Sequence, residues 1–220
     1  MTDVKICGVK TPEALTAAIE GGARFVGFVF YPPSPRFIDP SVAAYLAGFV
    51  PQTVRIVGLF VDPSDEELEK VLREVRLDML QLHGSESPGR LMEIKKKFGL
   101  PLIKAVKVAA KSDLDCLPGF EASADWILFD ARENKSSSDL PGGNGLPFDW
   151  TLLQDFCSKN PPQKPWMLAG GLTAENIPTA LEILQPDALD VSSGVESAAG
   201  VKDPDKIKHF LKLALGEDWR

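Results

Sequence analysis

The chain has 220 residues, of which 44% are hydrophobic and 25% charged, and its formal net charge is −7. This composition is ordinary for a soluble globular protein and provides enough apolar side chains for one substantial core or two small ones. The acidic balance disfavours nucleic acid or an anionic membrane as the main partner, because both recruit clustered lysine and arginine. No apolar run reaches the length of a membrane span and the N-terminus lacks a signal-peptide pattern, so we expect a cytoplasmic protein.

The cysteines and histidines are few and far apart. Cys7, Cys116 and Cys157 form an odd set without a short repeated spacing, which favours neither a disulfide framework nor a cysteine-rich zinc site. The two histidines, His83 and His209, lie in different parts of the sequence, so we expect no multi-histidine metal site.

Short apolar runs that resemble strands recur about every 20 to 30 residues, the length of a βα unit. Eight strands are predicted, at residues 4–9, 25–30, 55–61, 78–82, 102–108, 126–129, 166–169 and 188–191. A capping residue before a first-turn proline predicts helix starts at Pro12 and Pro40. Further helices are predicted at 65–76, 88–98 (ended by Gly99), 114–120 and 205–215, with a helix signal at 173–176. The polar stretch 131–147 is predicted to be a long loop, of the kind that is usually functional or mobile.

Eight βα units without a linker or a change of composition predict one domain over residues 1–220. The most economical closed arrangement is a (β/α)8 barrel, and an open doubly wound sheet is the alternative. The barrel is favoured because polar residues end strands at the beginning, middle and end of the chain, and only closure brings those ends together. In addition, no Gly-x-Gly-x-x-Gly motif follows the first strand.

Two strands end in side chains that can carry protons. Cys7 lies at the end of the first strand and is a candidate base or nucleophile, since surroundings can lower a thiol pKa from about 8.5. The alternative is a small buried hydrophobic residue. Asp130 follows the sixth strand, where partial burial would let a carboxyl keep its proton and act as a general acid. The alternative is a carboxylate that caps the next segment, and Cys116 and Cys157 are expected to be packing residues.

The loops after the seventh and eighth strands are rich in glycine and serine. Gly170 and Gly171 follow the seventh strand, and Ser192, Ser193 and Gly194 follow the eighth. In a barrel these neighbouring loops commonly bind phosphate through backbone N–H groups. Such uncharged donors would let an acidic protein hold an anionic substrate. The alternative is that the glycines only form tight turns.

Three further polar residues are candidates for the substrate site. Arg36, near the end of the loop after the second strand, is either a clamp for a carboxylate or a solvated loop charge. His83 closes the fourth strand and is expected to line or support the site rather than bind a metal. Asp190 lies one residue inside the end of the eighth strand, where it could orient other groups.

Together these motifs resemble the phosphoribosylanthranilate isomerase family of tryptophan biosynthesis. The matching segments are Lys5-Ile6-Cys7-Gly8, 27–30 with Ser34-Pro35-Arg36, 58–62, Gln81-Leu82-His83-Gly84, Leu128-Phe129-Asp130, 142–150, 168–176 and 190–196. They follow one another along nearly the whole chain, so the resemblance covers one full domain.

The resemblance implies an Amadori rearrangement of N-(5-phosphoribosyl)anthranilate, an aminoaldose, to 1-(2-carboxyphenylamino)-1-deoxyribulose 5-phosphate, an aminoketose. By the family pattern Asp130 protonates the furanose oxygen and Cys7, as a thiolate, removes the C2′ proton. Arg36 would contact the anthranilate carboxylate, and the loops after the seventh and eighth strands the phosphate. The expected partner is a phosphorylated small molecule, without metal or cofactor, and the expected state is a monomer or homodimer.

Two other functions stay open. One is a different phosphate-binding barrel enzyme. A ribulose-phosphate epimerase would need two inner-strand histidines, whereas only His83 is available, and an indole-glycerol-phosphate synthase would use an early lysine, for which Lys5 is a candidate. Lys5 lies two residues before Cys7, so both side chains are on one face of the strand. The second is a catalytically silent phosphate-ligand binder, which predicts that substitution of Cys7 or Asp130 leaves function intact.

Overall fold

Eight parallel strands close into a barrel in the computed structural model, which describes residues 2–131 and 150–216. The strands are β1 (Asp3–Cys7), β2 (Phe25–Val29), β3 (Arg55–Phe60), β4 (Met79–Leu82), β5 (Leu102–Val108), β6 (Trp126–Ala131), β7 (Trp166–Ala169) and β8 (Ala188–Val191). The barrel closes because β1 pairs with both β2 and β8, with Lys5 opposite Phe25 on one side and Asp190 on the other. The barrel prediction is confirmed, and the open doubly wound sheet is wrong.

Helices connect successive strands. They are α1 (Pro12–Glu20), α2 (Pro40–Ala47), α3 (Asp65–Glu74), α4 (Pro88–Phe98), α5 (Leu117–Ser123), α6 (Trp150–Lys159), α7 (Ile177–Ile183) and α8 (Pro204–Leu215). Short 3₁₀ helices lie at Lys111–Leu114 and Ser193–Val195, and a hairpin of β9 (Glu196–Ala198) and β10 (Val201–Lys202) precedes α8. None of the helices within residues 2–131 and 150–216 is long and apolar enough to cross a bilayer.

Strand alternation divides the core into two layers. Most residues that point into the barrel form one cluster: Phe25, Val57, Met79, Ile103, Ala105, Leu128, Met167, Ala169 and Ala188. Cys7, Val29 and Leu59 form a small second cluster toward the C-terminal ends of β1, β2 and β3. Outward residues such as Phe28 pack with the apolar faces of the helices in a larger cluster, where each fully buried side chain contributes about 1.5–3 kcal/mol. On β6 and β8 the inner cluster includes Leu128 and Ala188, and the next inward position on each strand is an aspartate, Asp130 or Asp190.

Predictions that depend on local signals are confirmed most closely. Strands β5, β7 and β8 have their predicted bounds, and so does α4. Ser87 accepts from the Arg90 N–H at the start of α4, and Gly99 ends the helix with a φ of 69°, in the left-handed region. Asp39 caps α2 directly before Pro40.

Two strand ends differ from the predictions by two residues, and differences of one residue occur at the ends of β2 and β3 and at the starts of β1 and β4. β1 ends at Cys7 rather than at residue 9, because Gly8 has a φ of 80° and turns the chain. β6 continues to Ala131, because Val108 of β5 pairs with it. Asp130 therefore lies within β6 instead of after it.

Helix α3 ends at Glu74 rather than at residue 76, α8 begins one residue early at Pro204, and two further helix predictions need larger corrections. In place of a helix at 114–120, the chain forms the 3₁₀ helix Lys111–Leu114 and then α5, which accommodates Pro118 in its first turn. The signal at 173–176 is a turn, because Asn176 Oδ1 accepts from the Thr173 N–H, and α7 begins only at Ile177. The predicted loop 131–147 lies outside the described residues, apart from its first residue in β6.

Candidate active site

The C-terminal rim of the barrel collects side chains that are far apart in the sequence. Inward alternation brings Cys7 of β1, Asp130 of β6 and Asp190 of β8 to this end, together with His83 directly after β4. The C-terminal ends of barrel strands are where (β/α)8 enzymes have their active sites. The rim is therefore the candidate active site.

A buried ion pair lies beside Cys7. Lys5 of β1 stands opposite Asp190 of β8, and its Nζ donates to Asp190 Oδ1 at 2.8 Å. Burial lowers the pKa of Lys5, but the Asp190 carboxylate and the Cys7 sulfur outweigh burial and raise the pKa overall. Because Lys5 is 0% exposed, it offers a substrate no surface, which disfavours the synthase alternative.

Cys7 is itself buried. Burial raises the pKa of the thiol above its ordinary value of 9.0, although the Lys5 and Lys202 cations oppose the rise. Ionisation of Cys7 therefore depends on these cations and on the charge that a substrate brings.

Gly27 of β2 makes room for the thiol and the ammonium. A Cβ at position 27 would lie 3.2 Å from Cys7 Sγ and 3.2 Å from Lys5 Nζ. The two groups are therefore neighbours across the space that the missing side chain leaves. Lys5 is in position to stabilise a thiolate electrostatically.

Asp130 faces the rim with 27% of its side chain exposed. Its Oδ2 lies 3.1 Å from His83 Nε2, and His83 Nδ1 lies 3.1 Å from Gln81 Nε2. In strand register, Lys107 of β5 and Ala169 of β7 stand opposite Asp130. His83 therefore supports the candidate acid, and Gln81 behind it is a residue for which the sequence carries no functional signal beyond its place in the family motif.

Arg36 is already engaged by a carboxylate. Its Nε donates to Glu196 Oε1 at 2.7 Å and its Nη2 to Glu196 Oε2 at 2.8 Å, a bidentate pair. Burial would raise the pKa of Glu196, but hydrogen bonds from Arg36 and Lys202 outweigh burial and lower it. Two cations around one anion leave a net positive charge, and Arg36 Nη1 has no hydrogen-bond partner in the described part of the chain. The alternative of a solvated loop charge is wrong.

The β9–β10 hairpin carries the groups that hold Arg36. Lys202 Nζ donates to Glu196 Oε1 at 2.6 Å, to the Ser192 carbonyl at 3.0 Å and to Ser192 Oγ at 3.2 Å. Ser192 Oγ in turn donates to the Cys7 carbonyl at 3.1 Å. One buried lysine thus connects the loop after β8, the end of β1 and the partner of Arg36. Glu196 is part of the family motif, but Lys202 is not, and only the fold identifies its role.

The turns after β7 and β8 are shaped by glycine. Gly170 and Gly171 have φ values of 89° and 62°, in the left-handed region. A Cβ at Gly194 would lie 1.9 Å from the Leu172 carbonyl oxygen, so the two turns pack too closely for any side chain there. Ser193 is exposed beside them. Tight turns and an anion site are compatible here, because the same glycines that form the turns expose their backbone.

Cys116 and Cys157 do not lie on barrel strands. All three cysteines are free; Cys116 is exposed, which corrects its expected packing role, and Cys157 packs at the edge of the core. Within residues 2–131 and 150–216, no group of three or more His, Cys, Asp or Glu side chains could hold a metal ion.

The closed barrel, the ionisable side chains on its C-terminal rim and the glycine turns after its last two strands have the organisation of phosphate-binding (β/α)8-barrel enzymes. A family model described as N-(5'phosphoribosyl)anthranilate (PRA) isomerase matches residues 4–213. The chain belongs to the N-(5'-phosphoribosyl)anthranilate isomerase family, whose members are aldose–ketose isomerases of tryptophan biosynthesis. The resemblance read from the motifs is confirmed.

Individual relatives match over nearly their whole length. The chain is 52% identical over 211 residues to the N-(5'-phosphoribosyl)anthranilate isomerase of Paracoccus denitrificans, covering 96% of each protein. The corresponding isomerase of Rhodospirillum centenum is 51% identical, with 96% of this chain and 97% of the relative covered. A crystal structure of the Thermotoga maritima phosphoribosyl anthranilate isomerase matches with a TM-score of 0.86 and 37% identity, over 97% of this chain and 98% of that one. An isomerase in complex with reduced 1-(o-carboxyphenylamino)-1-deoxyribulose 5-phosphate matches with a TM-score of 0.83 and 36% identity, at the same coverage.

Proposed function

We propose that this chain converts N-(5-phosphoribosyl)anthranilate into 1-(2-carboxyphenylamino)-1-deoxyribulose 5-phosphate, with Asp130 as general acid and Cys7 as general base. Family membership supports the reaction. The observation that carries the residue assignment is a buried thiol on β1 and a partly exposed carboxyl on β6, both inward at the C-terminal rim. A substrate bound across the rim can touch an acid and a base at once.

The first step opens the furanose ring. The Asp130 carboxylic acid gives its proton to the ring oxygen, the bond between that oxygen and C1′ breaks, and the nitrogen lone pair forms a C1′=N iminium. Asp130 becomes a carboxylate, to which His83 Nε2–H can donate across 3.1 Å. Its partial exposure lets water return a proton between turnovers.

The second step removes the C2′ proton. The Cys7 thiolate takes it, the C–H electron pair forms a C1′=C2′ bond, and the iminium electrons return to nitrogen, which gives a neutral enolamine. Because burial raises the pKa of Cys7, the thiolate is a strong base once formed, and the adjacent iminium cation favours proton loss from C2′. The Cys7 thiol then gives its proton to C1′ and becomes a thiolate again, while the enol O–H loses its proton to water, which gives the ketone. Asp130 takes up a proton from water, so both groups return to their starting states.

Arg36 is proposed to receive the anthranilate carboxylate. Glu196 holds Nε and Nη2, so the Nη1–H groups are left for the substrate, and the net positive charge with Lys202 favours an anion. The Arg36 stem lies over Gly8, where a Cβ would be 3.0 Å from Arg36 Cδ. The guanidinium is thereby held beside the strand that carries Cys7.

The phosphate is proposed to bind at the turns after β7 and β8. The contacts would come from backbone N–H groups and one hydroxyl of Gly170, Gly171, Ser193 and Gly194. Ser192 does not contact the phosphate in this proposal and acts indirectly, because its hydroxyl donates to the Cys7 carbonyl. Asp190 also acts indirectly, through its ion pair with Lys5.

Steady-state turnover of phosphoribosylanthranilate tests these assignments. Cys7→Ser and Asp130→Asn should each lower kcat by about 10²–10⁴-fold, the usual contribution of a positioned acid or base, with little change in KM. Cys116→Ser is the matched control, because it removes an exposed thiol that lies on no strand end. Full activity of either variant would remove that residue's role. Phosphate-ligand binding without turnover in the unmodified chain would instead favour the silent binder.

We also propose that residues 1–220 form one domain, a monomer or homodimer that works in the cytoplasm. The barrel runs from Asp3 to Val191, and α8 packs back against α1 and β1. The proposed base needs a reduced Cys7, which a reducing compartment maintains. One solved structure is of monomers generated from the dimeric Thermotoga maritima isomerase, and sedimentation equilibrium of this chain would distinguish the two states.

A further inference from the structure

Two side chains, Gln81 and His83, lead from the interior of β4 to the Asp130 carboxyl. Gln81 and His83 are two residues apart and share the inner face of the barrel. Gln81 is 0% exposed, its Nε2 lies 3.1 Å from His83 Nδ1, and His83 Nε2 lies 3.1 Å from Asp130 Oδ2. Gln81 has no part in the mechanism above, so its burial at this place calls for another explanation.

The Gln81 amide determines which imidazole nitrogen carries the proton. An amide NH₂ group is a donor only, so His83 Nδ1 must accept from it and the ring proton is on Nε2. The opposite amide orientation would place the NH₂ group where Gln81 Oε1 now lies buried, without a hydrogen-bond partner among the described residues. Two buried donors without acceptors cost more than one such acceptor.

We propose that Gln81 and His83 are positioning residues that keep Asp130 able to donate its proton, an inference that rests on the proposed role of Asp130 as general acid. With the proton on His83 Nε2, Asp130 Oδ2 is occupied as an acceptor and the acidic proton belongs on Oδ1. In the opposite tautomer, His83 Nε2 would be a lone-pair acceptor and would compete with the furanose oxygen for that proton. After transfer, Nε2–H donates to the new carboxylate without any atom moving.

The other described groups around Asp130 do not compete with His83 for its carboxyl. Within the described residues, His83 is its only hydrogen-bond partner, and Oδ1 has none. The neighbouring strands present Ala169 and Lys107 in register with Asp130. Lys107 is exposed and forms no ion pair within residues 2–131 and 150–216.

The tautomer can be measured directly, because the chain has only two histidines, His83 and His209. His209 is exposed on α8, so His209→Gln should leave turnover unchanged and yield a protein with a single imidazole. Nitrogen-15 NMR of that protein at neutral pH should show an unprotonated Nδ1 and a protonated Nε2. Gln81→Glu, whose carboxylate only accepts, should move the proton to Nδ1. A proton on Nδ1 before the substitution, or no change after it, would overturn the proposal.

Kinetics separate positioning from packing. Gln81→Leu places no charge in the barrel and should lower kcat about tenfold, part of the general-acid contribution, with KM within about twofold. His83→Gln supplies an amide donor, which has no tautomer. In a His83→Gln background, Gln81→Leu should therefore lower kcat by less than about twofold. A double-mutant cycle measures this difference between the two backgrounds. An equal loss in both backgrounds would show that Gln81 acts by packing.

These results are distinguishable from a failure of the proposed function. Full activity of Asp130→Asn removes the general acid, whatever the tautomer of His83. An inactive Asp130→Asn variant together with no coupling between Gln81 and His83 keeps the acid and overturns the positioning role.

Discussion

The two sides of the barrel rim hold their ionisable side chains differently. On the β1–β8 side, Lys5 and Asp190 form an ion pair with exposures of 0% and 8%, beside the buried Cys7. On the β4–β6 side, His83 and Asp130 are 21% and 27% exposed and are joined by one hydrogen bond. The candidate base is therefore in a buried, charged environment and the candidate acid in a more exposed one.

This difference matches what each group has to do. A thiol that ionises while buried needs a permanent neighbouring cation, and solvent salt screens a buried cation little. An acid has to recover a proton from water after each turnover, which partial exposure allows. The two sides can be disturbed separately, and the expected effects differ in kind.

The largest effect is expected on the charged side, from Lys5→Met. The change removes the cation beside Cys7 and leaves Asp190 buried without its partner, so stability should fall by about 3–5 kcal/mol. At neutral pH kcat should fall by about a hundredfold, a large part of what a general base contributes. Denaturant unfolding and steady-state kinetics measure the two losses.

A matched variant separates charge from structural damage in this experiment. Asp190→Asn keeps the shape of the side chain but removes the anion that opposes ionisation of Cys7. In a Cys116→Ser/Cys157→Ser background, alkylation of Cys7 by iodoacetamide should shift to higher pH in Lys5→Met and to lower pH in Asp190→Asn. Shifts in the same direction would mean that these charges do not control the thiol.

A smaller effect, on KM, is expected when the carboxylate that binds Arg36 is removed. Glu196→Gln removes the charged bidentate partner, and KM should rise about tenfold, because a hydrogen bond to a charged group contributes about 1.5–3 kcal/mol. The rate constant kcat should stay within about twofold, since the reacting atoms are untouched. The variant also increases the net positive charge near the substrate. A fall in KM would therefore show that charge outweighs orientation, contrary to our expectation; Glu20→Gln, on the exposed face of α1, is the control.

The smallest effect is on stability at alkaline pH. The pKa of Cys7 is raised from 9.0 in the folded protein, so the unfolded chain loses this proton first as pH rises. The stability that Cys7 contributes is complete below pH 9.0 and is lost as pH rises through the folded-state pKa. Lys5, whose pKa is raised from 10.5, adds a second loss above that value. Tm measured against pH should fall less steeply above pH 9 in Cys7→Ala, and an unchanged slope would contradict the assignment.

Elements whose signals lie within a few residues could be predicted from sequence. The bounds of α4 follow from a capping serine, a first-turn proline and Gly99, all adjacent to the helix they delimit. The position of Asp130 could not be predicted so well. Its strand is longer than its apolar run, because β5 continues to Val108 and pairs with residue 131. The sequence pattern indicated Asp130 as the acid, but pairing with β5 decided that Asp130 lies within a strand.

Arg36 shows the limit more clearly. Its positive charge and its place in a loop are evident in the sequence, yet its partner Glu196 lies 160 residues away. That pairing depends on the β9–β10 hairpin, in which Gly200 packs where a Cβ would be 2.3 Å from the Pro35 carbonyl oxygen. No local pattern carries this contact, because it exists only after the barrel has closed.

By itself, the sequence determined the alternation of strands and helices, the closed barrel and the family. Apolar periodicity, capping residues and strand-end motifs act over a few residues and can be recognised without a structure. Only the tertiary structure decided the charge environment of the site: the burial that raises the pKa of Cys7, the ion pair of Lys5, the bidentate contact of Arg36 with Glu196 and the contact of Gln81 with His83. These depend on burial and on charges from distant strands, since a side chain's solvation is a property of the folded barrel and not of its neighbours in the chain.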